Sequence, residues 1–271
     1  MYYKKATATN IPEIKLLWAE TFGDTSNYIE HFISHFGIEN GCVCETDGKI
    51  VAMAFALPTT VETQCIASLQ LKYIYACATH PDYQGQGIMA KLLDTIYQKA
   101  CSENTAGVFL QAADQYLANY YRKLGFEDFF HQDHFWYYKH KLLAEMPVQG
   151  NTFNFISPKA YHKKRAKKLE NHWFINWDVD FFQFLNEWKI QFCEYQNTIF
   201  SFKTMFRNII VDELLGETPP EQIAHLLFEY LPEFENICIR LIGGNVCCGQ
   251  MKWCNCLENQ PKNGYFAFAM E

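Results

Sequence analysis

Apolar positions recur along the chain with two periods, and together they predict a mixed α and β protein. Residues 11–36 read as helical, with apolar side chains at Ile14, Leu17, Trp18 and Phe22, then at Tyr28, Ile29, Phe32 and Ile33. Gly23-Asp24 breaks that run, so two short helices are expected. GCVCETDGKIVAMAFALP reads as two apolar strands around Asp47-Gly48, a dipeptide suited to a tight hairpin. LQLKYIYACAT, from Leu69 to Thr79, is a further strand rich in β-formers. Beyond the loop HPDYQGQG, Ile88, Leu92, Ile96 and Ala100 recur every four residues beside Met89, Leu93 and Tyr97, the mark of an amphipathic helix. Ala106 to Asp114 is a short buried strand ending at an N-cap, Asp114. A helix from Gln115 to Leu124 then stops at Gly125. Phe126 to His140 reads as two strands turning near Gln132-Asp133, and Met146 to Gly150 as a linker.

The second half repeats part of that order. NIIVDELLG (Asn208 to Gly216) reads as a strand, and Pro219 to Tyr230 as a helix with proline at its start. NICIRLIG, NVCCGQMKWC and GYFAFAM read as three more strands. Apart from the helix Gln115 to Leu124, strand, helix, strand, strand, strand is also the order from Leu69 to His140, which suggests a structural repeat with negligible residue identity. The glycine loop has no counterpart; Gly216-Glu217-Thr218-Pro219-Pro220 stands there, with a carboxylate where an anion would sit. The basic run HKKRAKK, residues 162–168, is expected to be a solvated helix face rather than a contact for an acidic partner.

The loop is the first feature that carries chemistry. A strand, a glycine turn and a helix N-terminus offer free backbone N–H groups and the positive end of a helix dipole to an anion. A P-loop needs Lys-Ser/Thr after its last glycine, and Gly87 is followed by Ile88-Met89. Gly85-x-Gly87-x-x-Ala90 satisfies a dinucleotide fingerprint. That fingerprint belongs on the first strand of a parallel sheet with an acidic residue about 20 positions on, whereas here a hairpin precedes it. A third reading rests on two motifs. ACATHPDYQGQGIMAKLL resembles motif A of the GNAT superfamily of N-acetyltransferases, and YYRKLGF (Tyr120 to Phe126) resembles the same family's Tyr-x-x-x-Gly-Phe signature. The resemblance covers roughly residues 1–140, with one departure, Met89, where the family prefers Gly or Ala.

The resemblance implies an α+β fold, α/β/α layered, with a mixed and mostly antiparallel sheet. Residues 1–145 would form the GNAT domain, and 151–271 a degenerate GNAT-like lobe without the pyrophosphate loop. It implies acetyl-CoA as cosubstrate, with Gln84, Gly85, Gln86, Gly87, Ile88 and Met89 around the pyrophosphate. The backbone of Cys77, Ala78 and Thr79 would bond the pantetheine arm. Tyr121 would act as general acid toward the departing sulfur, with Tyr120 in reserve, and the amine would attack the thioester directly. A non-catalytic acyl-CoA binder and a dinucleotide-binding oxidoreductase are the rival readings. The general base stays open among Glu20, Asp24, His31, water and Glu271 at the chain terminus, fixed by a strand from Tyr265 to Met270. Cys77 is expected to be a small hydrophobe rather than a nucleophile.

Composition narrows the partners. Of 271 residues, 49% are hydrophobic and 17% aromatic, enough for a large core. A net charge of -7 argues against a nucleic-acid backbone binder and is compatible with a cationic small substrate. The acceptor expected is a primary amine on a small molecule, with a peptide or protein amine left open. No run of 18 apolar residues predicts a membrane span, and no secretory signal is read, so the 11 cysteines are expected to be reduced thiols in a cytoplasm. Cys247, Cys248, Cys254 and Cys256 lack zinc-knuckle spacing, and no metal is expected.

Overall fold

The computed structural model describes residues 1–62, 68–145, 152–254 and 263–268. The first half contains β1 (Tyr2–Lys5), α1 (Ile11–Phe22), α2 (Ser26–Phe36), β2 (Gly41–Thr46), β3 (Lys49–Glu62) and β4 (Leu69–Thr79). It continues with α3 (Ile88–Ser102), β5 (Gly107–Leu110), α4 (Gln115–Lys123), β6 (Glu127–Tyr138) and α5 (Lys139–Glu145). The second half contains β7 (Asn154–Phe155), α6 (Pro158–Lys168), β8 (Phe174–Asn176), α7 (Val179–Glu187), β9 (Gln191–Tyr195) and β10 (Thr198–Met205). It closes with β11 (Asn208–Leu215), α8 (Pro220–Tyr230), β12 (Asn236–Ile242) and β13 (Val246–Trp253).

All the strands join one sheet in the order β1-β2-β3-β4-β5-β13-β6-β12-β11-β10-β9-β7, with β8 paired to β3 at one side. Taken from its two ends, the order is one series met twice: β1, β2, β3, β4, β5, β13 against β7, β9, β10, β11, β12, β6. β4 pairs parallel to β5 and β11 parallel to β12, while the other ladders are antiparallel. A helix crosses over between each parallel pair, α3 in one half and α8 in the other. The strand order is therefore pseudo-symmetric, although the five-element series expected from the sequence is not met in either half, and each half lends its last strand to the other. β13 lies between β5 and β6, and β6 between β13 and β12.

Gly107 makes the exchange possible. A Cβ there would lie 2.6 Å from the Lys252 carbonyl oxygen and 2.6 Å from Met251 Cε, so β13 can approach only a residue without a side chain. The abundant aromatics are concentrated in a core shared by both halves, where Trp18, Phe32, Tyr73 and Phe109 meet Tyr161, Trp177, Phe182 and Phe266. A second cluster lies under α3 and α4 (Leu92, Leu93, Ile96, Tyr121), and a third under α8 (Ile223, Leu226, Leu227).

Several expectations are corrected. Residues 127–138 form one continuous strand, not a hairpin. Asp133 does not turn its own chain; its carboxylate accepts the Asn245 N–H at 3.2 Å and so closes the turn between β12 and β13. HKKRAKK is not wholly solvated, because Arg165 is 1% exposed and ion-paired with Glu213 at 2.9 Å. Residues 264–268 make isolated bridges to Phe130 and Phe174 rather than a strand, and their side chains fill the shared core. Cys101 and Cys254 form a disulfide joining the end of α3 to the end of β13, where reduced thiols were expected. Their separation of 153 residues leaves no local spacing to signal the pair. The expected linker at Met146 to Gly150, and Cys256, Met270 and Glu271, lie outside the described residues.

Candidate active site

β4 and β5 pair only from Leu71↔Gly107 to Tyr73↔Phe109, after which β5 ends and β4 runs on to Thr79. Within that unpaired stretch the β3 register shifts, and Ala76 takes φ 51°, a bulge that bends β4 further from its neighbour. The result is a cleft of about 480 Å³ between the two strands. Ile74, Tyr75, Ala76 and Cys77 line one wall, Leu110, Gln111 and Ala113 the other, with Leu117 and Tyr121 of α4 behind and Phe22 and Asp24 at the α1–α2 turn.

Three candidate residues from sequence meet here: Tyr121, Cys77 and Asp24. Asp114 caps α4 by accepting the Leu117 N–H at 2.8 Å, which sets the start of the helix that carries Tyr121. Tyr121 is 6% exposed and lines the cleft together with Cys77. Burial, then the Cys77 sulfur, push the Tyr121 pKa far above its usual value, so the phenol carries its proton at neutral pH. Burial likewise pushes the Cys77 thiol up to about 12, a neutral group and a poor nucleophile, as expected of a small hydrophobe. Asp24 accepts the Trp18 indole N–H at 2.8 Å, which holds the carboxylate at the mouth of the cleft. Beside it the Tyr28 and Tyr75 hydroxyls are 3.0 Å apart, and burial raises the Tyr28 pKa to about 12 against the opposing effect of that bond.

The other candidates fall elsewhere. Glu20 is exposed on α1 outside the cleft lining. His31 lies 2.6 Å from Glu187 and stacks on Phe184 of α7, a contact between the halves. Tyr120 packs beside Tyr121 without lining the cleft. Asp24 is one of the open candidates from the sequence, whereas nothing local marks Phe22 or Gln111, whose place in the cleft depends on contacts between distant segments.

The glycine loop follows the C-terminal end of β4. Gly85 and Gly87 take φ 73° and 74°, a region that favours glycine, and the space their Cβ atoms would occupy is open to 4 Å. Gln84 is tied back to the strand end, its amide donating to the Thr79 carbonyl at 3.1 Å. The Lys91 N–H reaches the Gly87 carbonyl at 3.1 Å, so the amides before it stand at the open end of the helix. Ile88 is buried, and Met89 packs half-buried against the α3 core, so the departure from the family pattern fills the core side. Main-chain N–H groups, an open cradle over two glycines and an unpaired β4 edge at Cys77, Ala78 and Thr79 fit a pyrophosphate with an extended arm. Among the described residues no group of His, Cys, Asp and Glu is placed to hold a metal ion, and no helix is long and apolar enough to cross a membrane.

Residues 2–129 match the family model for the acetyltransferase (GNAT) domain, so the first half of the chain carries a GNAT acetyltransferase domain. An S-alkylcysteine N-acetyltransferase of Bacillus subtilis (strain 168) is 27% identical over 129 residues, 45% of this chain and 68% of that protein. The fold recurs in a GCN5-related N-acetyltransferase from Anabaena variabilis, with a TM-score of 0.73 at 15% identity over 94% of this chain and 73% of that one. It recurs in another from Kribbella flavida, with a TM-score of 0.71 at 13% identity over 93% and 72%. A putative acetyltransferase from Pyrococcus horikoshii gives 0.62 at 11% identity over 99% and 94%. These likenesses span both halves, so the fold of the chain as a whole recurs in these structures. β4 has an antiparallel neighbour in β3, unlike the parallel sheet of a dinucleotide-binding fold.

Proposed function

We propose that this chain transfers the acetyl group of acetyl-CoA to a primary amine of a small molecule by direct attack on the thioester. The observation that carries the reading is the cleft itself, where Tyr121 faces the bulge of β4 beside Cys77 and the glycine loop stands at the end of the same strand. The loop would hold the pyrophosphate through main-chain N–H groups, and the free edge of β4 would hold the pantetheine arm. Tyr121 would then meet the thioester sulfur and return a proton to it as the carbon–sulfur bond breaks. Asp24 suits the other side of the reaction. Its carboxylate attracts an ammonium group to the mouth of the cleft, between the apolar walls of Phe22 and Leu117. An alkylamine of pKa about 10.4 must lose a proton before it attacks, at a cost of about 4.6 kcal/mol at pH 7, and Asp24 or a water would take that proton. The S-alkylcysteine specificity of the Bacillus subtilis relative makes an α-amine with an apolar side chain one class to test.

The test is thiol release from acetyl-CoA with a panel of arylalkylamines, polyamines and S-alkylcysteines, the acetylated product being identified by mass. Tyr121→Phe is expected to lower kcat about 100-fold while the KM for acetyl-CoA stays within about twofold. Release without an acetylated amine, or an unchanged kcat in the variant, would refute the assignment.

A further inference from the structure

Tyr121 is the seventh residue of a nine-residue helix, and the strand that grips that helix comes from the other half of the chain. One turn before Tyr121, the Gln250 side chain of β13 donates to the Ala118 carbonyl at 3.2 Å. One turn after it, the Lys252 ammonium donates to the Leu124 carbonyl at 2.8 Å, at the negative end of the helix dipole. The same ammonium lies 4.2 Å from the centre of the Tyr97 ring of α3, and the Tyr97 hydroxyl donates to the Trp253 carbonyl at 2.9 Å.

A salt bridge completes the grip at the first contact. The Gln250 amide also donates to the Asp128 carboxylate at 3.0 Å, and Asp128 accepts from Arg122 of α4 at 3.0 Å and 2.7 Å. Gln250 is 1% exposed, and its carbonyl oxygen is buried without a partner among the described residues. An apolar residue would avoid that cost, so stability alone does not explain a glutamine there. What the amide supplies is two donors, and both are spent on fixing α4.

We propose that Gln250 and Lys252 are positioning residues for Tyr121, so that the second half of the chain sets the geometry of the reacting centre in the first. The inference rests on the acetyltransferase reading above. A helix held at one turn on either side of Tyr121 keeps the phenol on the thioester sulfur, and a displacement of about 1 Å is enough to cost up to 100-fold in rate. The second half thereby has a role in catalysis without a pyrophosphate loop of its own.

The experiment measures kcat, the KM for acetyl-CoA and thermal stability for Gln250→Leu and Lys252→Met, each alone and combined with Tyr121→Phe. Each single variant is expected to lower kcat about tenfold with the KM within about twofold, and Lys252→Arg, which keeps the cation, to recover most of the loss. Combined with Tyr121→Phe, each is expected to cost less than about twofold more, because the group it positions is already gone. Gln250→Leu is expected to melt within about 2 °C of the wild type, since it removes an orphan acceptor with its two bonds. If it does not fold, Lys252→Met at the other contact decides the matter. Losses of the same size with and without Tyr121, or unchanged kcat in both single variants, would overturn the proposal while leaving the acetyltransferase reading intact. A wild type that neither binds acetyl-CoA nor acetylates any amine would overturn both.

Discussion

Replacing Arg165 by Met should remove one of the largest single contributions to stability in the second half. The guanidinium is 1% exposed and its partner Glu213 is 0% exposed. Arg165 Nε donates to the two Glu213 oxygens at 2.9 Å and 3.0 Å, a second guanidinium nitrogen donates to the Ile175 carbonyl at 2.9 Å, and the Tyr161 hydroxyl donates to Glu213 at 2.7 Å. The rings of Phe174, Phe182, Tyr265 and Phe268 surround the cation at 5.3 to 6.0 Å. Methionine keeps much of the apolar stem but leaves the Glu213 carboxylate buried without its cation. Breaking one side of such a pair costs about 3–5 kcal/mol. With about 2.1 cal/mol/K per residue, 271 residues unfolding together carry about 0.6 kcal/mol/K, so the melting temperature should fall by about 5–9 °C. Calorimetry of the single variant and of Arg165→Met with Glu213→Leu checks it, because removing both charges should restore at least half of the loss. A single variant that melts within about 2 °C of the wild type, or a double variant no better than the single, would refute the reasoning.

Three further outcomes follow from the same structure. Asp24→Asn should raise the KM for a cationic amine at least about tenfold and leave acetyl-CoA binding unchanged; equal KM values would remove Asp24 from the acceptor side. Arg122 holds the Asp128 carboxyl below its usual range, so the stability it contributes is complete above about pH 4 and is lost as pH falls through the lower folded value. Melting temperatures of Asp128→Asn should accordingly depend less on pH below 4 than those of the wild type. Gly107→Ala should destabilise by about 1–3 kcal/mol in urea titrations, because its Cβ meets the β13 backbone, and a neutral result would mean that β13 does not approach so closely.

Much of the first half was legible because its signals are local. Asp47 and Gly48 both take positive φ at the hairpin, β4 spans Leu69–Thr79 as expected, and Asp114 caps its helix. The glycine loop and the Tyr121 motif were readable for the same reason. What escaped depends on partners far away in the chain. Asp133 looks like a turn residue until Asn245 supplies its donor, and Arg165 looks solvated until Glu213 arrives from β11. Gln250 and Lys252 alternate with apolar neighbours like any strand residues, and nothing local marks them as the hold on α4. Asp24 stays one of several open candidates in the sequence, and only the fold separates it from Glu20 and His31 by carrying it to the cleft.

The central claim is that the glycine loop and the splayed strand together bind acetyl-CoA. Its most direct measurement is the thermal shift of the wild type and of Gly87→Glu with acetyl-CoA, CoA and NADH. The residue takes φ 74° over open space, so a glutamate there strains the loop and sets a negative charge where the pyrophosphate would lie. The expected result is stabilisation of the wild type by acetyl-CoA and CoA but not by NADH, with the shift lost in the variant. Stabilisation by NADH alone, or the same acetyl-CoA shift in both proteins, would contradict it.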